Sequence, residues 1–129
     1  MFGETSAFSG FSVDDLDAAR RFYGETLGLR VGEEGDGDMR MLLLTLADGA
    51  RIFVYPKDDH TPATFTILNF AVDDIDRAVD ELTGRGVTLE RYDGFEADAK
   101  GVVRAEGGPP IAWFKDPAGN VLAVLQEPR

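Results

Sequence analysis

The sequence predicts an α+β fold made of two tandem βαβββ modules, with paired, curved sheets forming a central cleft. Three observations predict it. Val13-Asp14-Asp15-Leu16-Asp17 recurs as Val72-Asp73-Asp74-Ile75-Asp76, an offset of 59 residues. Each copy follows a strand-like apolar run, Ala7 to Val13 and then Phe65 to Val72. Each also precedes a helical pattern followed by further short strands.

The helices are expected near residues 15–27 and 75–85. Leu16, Ala19, Phe22, Tyr23 and Leu27 recur at helical spacing in the first copy, and Ile75, Ala78, Val79 and Leu82 in the second. The Asp pairs supply capping oxygens and negative charge where a helix start exposes unpaired N–H groups. Gly28 and Gly86 stand where the two helices should stop.

Strand candidates follow at Leu29 to Glu34, Arg40 to Leu46 and Arg51 to Tyr55. In the second half they are Thr88 to Tyr92, Val102 to Ala105, Pro110 to Phe114 and Val121 to Gln126. Asp48-Gly49 and Ala118-Gly119-Asn120 are turn signals before the last strand of each half. The modules then cover residues 5–57 and 64–127 of a single domain, 1–129. Residues 58–63 form the linker, with Asp58-Asp59-His60 between Pro56 and Pro62. A βαβββ unit covers one face of its sheet with a helix and leaves the other bare, so two units are expected to enclose a small-molecule cleft jointly.

Composition narrows the function. A formal charge of −11, from 24 acids against 13 bases, argues against nucleic acid, whose phosphates need a basic footprint. The chain has no cysteine, which removes disulfides, thiolate metal ligands and thiol nucleophiles. No apolar run approaches the ~18 residues of a membrane span, and the N-terminus lacks a basic-then-apolar signal pattern. A cytoplasmic protein with no membrane partner is expected.

The segment 11–29, Phe-Ser-Val-Asp-Asp-Leu-Asp-Ala-Ala-Arg-Arg-Phe-Tyr-Gly-Glu-Thr-Leu-Gly-Leu, resembles the opening of vicinal oxygen chelate proteins. These are the superfamily of glyoxalases, bleomycin-resistance proteins and extradiol dioxygenases. Asn-Phe-Ala-Val-Asp-Asp-Ile-Asp (69–76) resembles the same element again, and Trp-Phe-Lys-Asp-Pro-Ala-Gly-Asn-Val-Leu (113–122) the closing motif. The resemblance covers nearly the whole chain. It implies paired βαβββ modules, a homodimer, and a divalent metal held by the first and last strands of each module.

Carried over position by position, those metal ligands fall on Phe8, Phe53, Ile67 and Ala123. None has a lone pair for a cation that needs oxygen or nitrogen. The expectation is therefore no metal and no cofactor, and an apolar cleft that sequesters an apolar or aromatic compound, as bleomycin-resistance proteins do. Ser12 and Asn69 share strand parity with Phe8 and Ile67 and should face the cleft, either to orient a ligand's polar group or to satisfy local backbone groups. Tyr55 shares parity with Phe53, and of Trp113 and Phe114 only one can face the cleft. The alternative is a glyoxalase- or dioxygenase-like enzyme with a relocated metal built from Asp, Glu and His60, or with metal-free acid–base catalysis by Glu96 or Asp98. His60 itself is expected to be an exposed linker residue, and Tyr92 to Glu106 a solvated loop or edge strand.

Overall fold

A computed structural model describes residues 1–127 and divides the chain into two compact units, Met1–Thr61 and Pro62–Arg129. In the first unit, strand β1 (Ser9–Val13) leads into helix α1 (Leu16–Arg21), then β2 (Arg30–Glu34), β3 (Met41–Thr45) and β4 (Arg51–Pro56). The sheet order is β1-β4-β3-β2, with β1 parallel to β4 and the other pairs antiparallel. In the second, β5 (Thr66–Val72) leads into α2 (Ile75–Gly84), then β6 (Ile111–Lys115) and β7 (Val121–Gln126). Here the order is β5-β7-β6, again with a parallel pair, β5 with β7.

The repeated Asp pair does in both units what a helix start requires. Asp15 Oδ1 accepts from Ala18 N at 3.1 Å, and Asp74 Oδ1 from Arg77 N at 3.2 Å. The next acid of each repeat ties its helix to the rest of the unit. Asp17 pairs with Arg40 at 2.8 Å, and Asp76 with Arg104 at 2.7 Å. The Arg40 guanidinium, by hydrogen bond and by charge, holds the Asp17 carboxyl below its usual range.

Period-2 alternation sorts the first sheet into a buried and an open face, whereas in the second β7 is buried on both sides, the site candidate Ala123 included at 0% exposure. Val13, Leu42, Leu44, Ile52 and Val54 are buried with Leu16, Ala19 and Tyr23 of the first helical segment. In the second unit Ala112, Phe114, Leu122 and Val124 are buried with Ile75 and Val79 of α2. These are the two cores.

Three expectations need correction. The first helix is α-helical only to Arg21. Phe22–Thr26 is a π-helical turn, closed by Leu27 N donating to Phe22 O at 2.9 Å, before Gly28 at φ 74° ends it. Thr88 to Tyr92 and Val102 to Ala105 are not full strands: they contribute isolated bridges, Glu90 to Trp113 and Val103 to both Ala97 and Ile111. Nor is the segment from Tyr92 to Glu106 simply solvated, because Gly101, Val102 and Val103 are buried. Asp98 organises it, accepting from Lys100 N at 2.9 Å, Val102 N at 3.0 Å and Arg104 Nε at 3.3 Å. A long connection is ordered here by one carboxylate rather than by a ladder.

The closing motif is architectural. Asp116 Oδ1 accepts from Ala118 N (3.0 Å) and Asn120 N (2.9 Å), and its Oδ2 from Asn120 Nδ2 (3.1 Å). Asn120 Oδ1 in turn accepts from Ala63 N at 3.1 Å. Both side chains are buried, so the motif closes the β6–β7 turn and anchors the start of the second unit. Gly119, at φ 87°, could not become alanine cheaply: a Cβ there would approach Pro62 to 3.0 Å.

Candidate functional site

In the first unit, the face of the sheet opposite the buried core carries Phe8, Ser12, Phe53 and Tyr55. The register explains this. Gly10 lies beside Phe53 and Ser12 beside Tyr55, while their neighbours Phe11, Val13, Ile52 and Val54 turn to the other side. Phe8 and Phe53 meet edge to face with ring centres 4.9 Å apart, and Phe8 remains 63% exposed. An aromatic pair that leaves this much ring open to water is a surface for another apolar group. Gly10 makes room beside it, since a Cβ there would press on Phe53 O at 3.3 Å.

At the other end of the same strands stands a polar group that the sequence reading discounted. His60 is half-buried, not an exposed linker residue, and its Nδ1 shares a 2.7 Å hydrogen bond with Ser12 Oγ. Lys57 N bonds Val13 O and His60 N bonds Lys57 O, which folds the segment back against β1. A polarity pattern alone could not show that return. Ser12, His60 and Tyr55 thus gather hydroxyl and imidazole groups at one end of an aromatic face.

In the second unit, Ala123 lies between Asn69 on β5 and Trp113 on β6 in one cross-strand row. Of the neighbours Trp113 and Phe114, Phe114 goes to the core at 1% exposure and Trp113 takes the opposite face. Ile67 falls at a register shift between Thr66 and Leu68, where the ladder passes over it. The parity that relates Phe8 to Ser12 therefore does not transfer cleanly from Ile67 to Asn69.

Two further aromatics, missed in the sequence, complete this face. Tyr92 lies 5.6 Å and Phe95 5.3 Å from Trp113 between ring centres. Glu90 bridges Trp113 and Tyr92, two along, shares its face, a pairing that the sequence alone does not place. The Tyr92 hydroxyl is buried and, among the described residues, meets no hydrogen-bond partner. Such a group costs about 1–3 kcal/mol unless something accepts from it or donates to it.

The metal that the vicinal-oxygen-chelate resemblance implies does not fit these residues. Phe8, Phe53, Ile67 and Ala123 offer only carbon. Among the described residues no three His, Asp or Glu side chains are grouped so as to hold an ion. Asp98, a candidate acid–base group, is instead committed to its loop; the Val102 N–H, foremost, holds its carboxyl below the usual range. Among the same residues, no helix is long and apolar enough to cross a membrane.

Comparisons with known proteins agree with this architecture. The model of the Glyoxalase/Bleomycin resistance protein/Dioxygenase superfamily matches residues 7–124. A curated relative, biphenyl-2,3-diol 1,2-dioxygenase of Sphingomonas paucimobilis, is 29% identical over 125 residues. That match spans 95% of this chain but only 38% of the relative. Among solved structures, TnmS3, an antibiotic binding protein from Streptomyces sp. CB03234, superposes with a TM-score of 0.72. It is 23% identical and covers 97% of this chain and 98% of its own. A superfamily member from Sphaerobacter thermophilus gives 0.73 at 24% identity, covering 95% and 98%. At these identities the structural likeness is one of fold.

Proposed function

The chain belongs to the Glyoxalase/Bleomycin resistance protein/Dioxygenase superfamily, and from that premise we propose that it is a small-molecule-binding protein that sequesters an apolar or aromatic compound. The observation that carries this reading is the Phe8–Phe53 pair, exposed at Phe8 and half-buried at Phe53, at positions where the resemblance places metal ligands. Tyr55, Ser12 and His60, in the same unit as that pair, supply polar groups that would orient such a compound. The antibiotic-binding neighbour and the aromatic diol in the dioxygenase's name are in keeping with a planar apolar ligand. We also propose a cytoplasmic homodimer, the dimer being what the resemblance implies and testable by light scattering against the 14.0 kDa of one chain.

The energetics require both kinds of contact. Burying ~200 Å² of ligand apolar area contributes about 5 kcal/mol before the cost of association, which is marginal alone. A few polar groups must add the rest and set orientation.

The test is a thermal-shift screen of neutral aromatic compounds, run beside metal analysis of the purified protein. Stabilisation by such compounds without added metal is the expected result. Stoichiometric divalent metal, with no stabilisation until it is present, would replace this reading by the dioxygenase-like one.

A further inference from the structure

The helix-free face of the first unit has a charge pattern opposite to that of the chain. Thr45 is the cross-strand partner of Arg30 on β2 and of Arg51 on β4, so the three residues form one row on that face. One step before the Ser9–Ile52 pair, Phe8 continues the row, with the Arg51 guanidinium carbon 5.9 Å from its ring centre. The adjacent row places Phe53 beside Leu43. Arg30 and Arg51 are exposed and, among the described residues, neither forms an ion pair, although acids outnumber bases 24 to 13. Asp48, in the nearby β3–β4 turn, has its carboxylate turned to Ala50 N at 3.0 Å. Glu34 shares the face but sits four residues along β2 from Arg30, about 13 Å away.

We propose that this face selects aromatic carboxylates, with Arg51 and Arg30 taking the carboxylate while Phe8 and Phe53 hold the ring. The proposal rests on the binding role given above and names its ligand class. Two strand spacings, roughly 10 Å, separate the two arginine backbones, so long flexible side chains can converge on one group. Four residues along β4, about 13 Å, separate Arg51 from Tyr55 and the Ser12–His60 pair. A two-ring acid fits that span, its far edge meeting the hydroxyls. A monoanion is favoured over a phosphate ester because a dianion meets twice the repulsion from a chain of charge −11. Guanidinium pairs planar carboxylates bidentately, which gives direction as well as charge. The plain alternative is that Arg30 and Arg51 only keep an open sheet face soluble. That alternative gives no preference between an acid and its amide.

Calorimetric titration with 2-naphthoate and 2-naphthamide separates the two. The acid should bind about tenfold more tightly than the amide. Arg51→Gln, and to a lesser extent Arg30→Gln, should shrink that preference, and in the double variant the acid-to-amide affinity ratio should fall to about one. An unchanged melting temperature shows that the fold is intact in the variants. Equal binding of acid and amide, or a preference that survives the double variant, overturns the proposal and leaves the binding role standing. Tighter binding of 2-naphthyl phosphate than of 2-naphthoate overturns the choice of carboxylate. If neither naphthalene compound binds at millimolar concentration, the binding role at this face falls as well, and the proposal with it. In the binding case, the backbone amide signals of Leu43 and Phe53 should shift, and shifts confined to other strands would also overturn the assignment.

Discussion

The same sheet row carries opposite shapes in the two units. In the first, Gly10 lies beside Phe53 and Phe53 beside Leu43; in the second, Asn69 lies beside Ala123 and Ala123 beside Trp113. The large group sits on the last strand of one unit and on its neighbour in the other. What the units share lies elsewhere: the Asp15 and Asp74 caps, the Asp17–Arg40 and Asp76–Arg104 pairs, and the parallel first-to-last strand pairing. Helix-side residues and caps hold the duplicated scaffold. The residues of this row differ between the units, and Ala123, unlike Phe53, is fully buried.

The turns before the last strands differ most in energy, and the largest effect lies there. Asp116 and Asn120 are buried in mutual and backbone hydrogen bonds, whereas Asp48 is exposed with one bond to Ala50 N. Asp116→Ala should cost about 3 kcal/mol, because it strands several buried donors, and Asp48→Ala less than about 1 kcal/mol. Urea unfolding measures both, and equal losses would break the contrast. The helix caps should behave alike. Asp15→Ala and Asp74→Ala are each expected to cost about 1 kcal/mol, and a cap that matters in only one unit would show that the repeat is not energetically equivalent.

The smallest effect concerns pH. The Asp98 carboxyl is held below its usual range by the Val102 and Lys100 N–H groups and by Arg104. A group lowered in the folded state contributes stability that is full above its unfolded pKa, near 4, and lost as pH falls through the lower folded value. Asp98→Asn should therefore flatten the acid limb of stability below about pH 5 while leaving a small deficit at pH 7. A variant whose acid limb matches the wild type would assign that limb to other carboxylates.

Much of this was legible in the residues. The Val-Asp-Asp repeat located both helix starts because capping is local chemistry, and alternation in Arg51 to Tyr55 placed Phe53 and Tyr55 on one face because side-chain direction in a strand has period 2. The misses are non-local. His60 returns to Ser12 across 48 residues, and Asp98 orders its loop through backbone donors that leave no periodic trace. The shift at Ile67 is invisible to parity, since one extra residue looks like any other until its partner strand is seen.

In the first unit, Phe8 and Phe53 stand at two of the positions where the resemblance puts metal ligands, and the proposed role requires that this aromatic pair hold the ligand. Titration of wild-type and Phe53→Glu protein with 2-naphthamide tests it most directly. The substitution sets a carboxylate against the Phe8 ring on a face open to water, so the fold should persist. Amide affinity should fall at least about tenfold, with the melting temperature changed by only a few degrees. Undiminished affinity in Phe53→Glu would contradict the account.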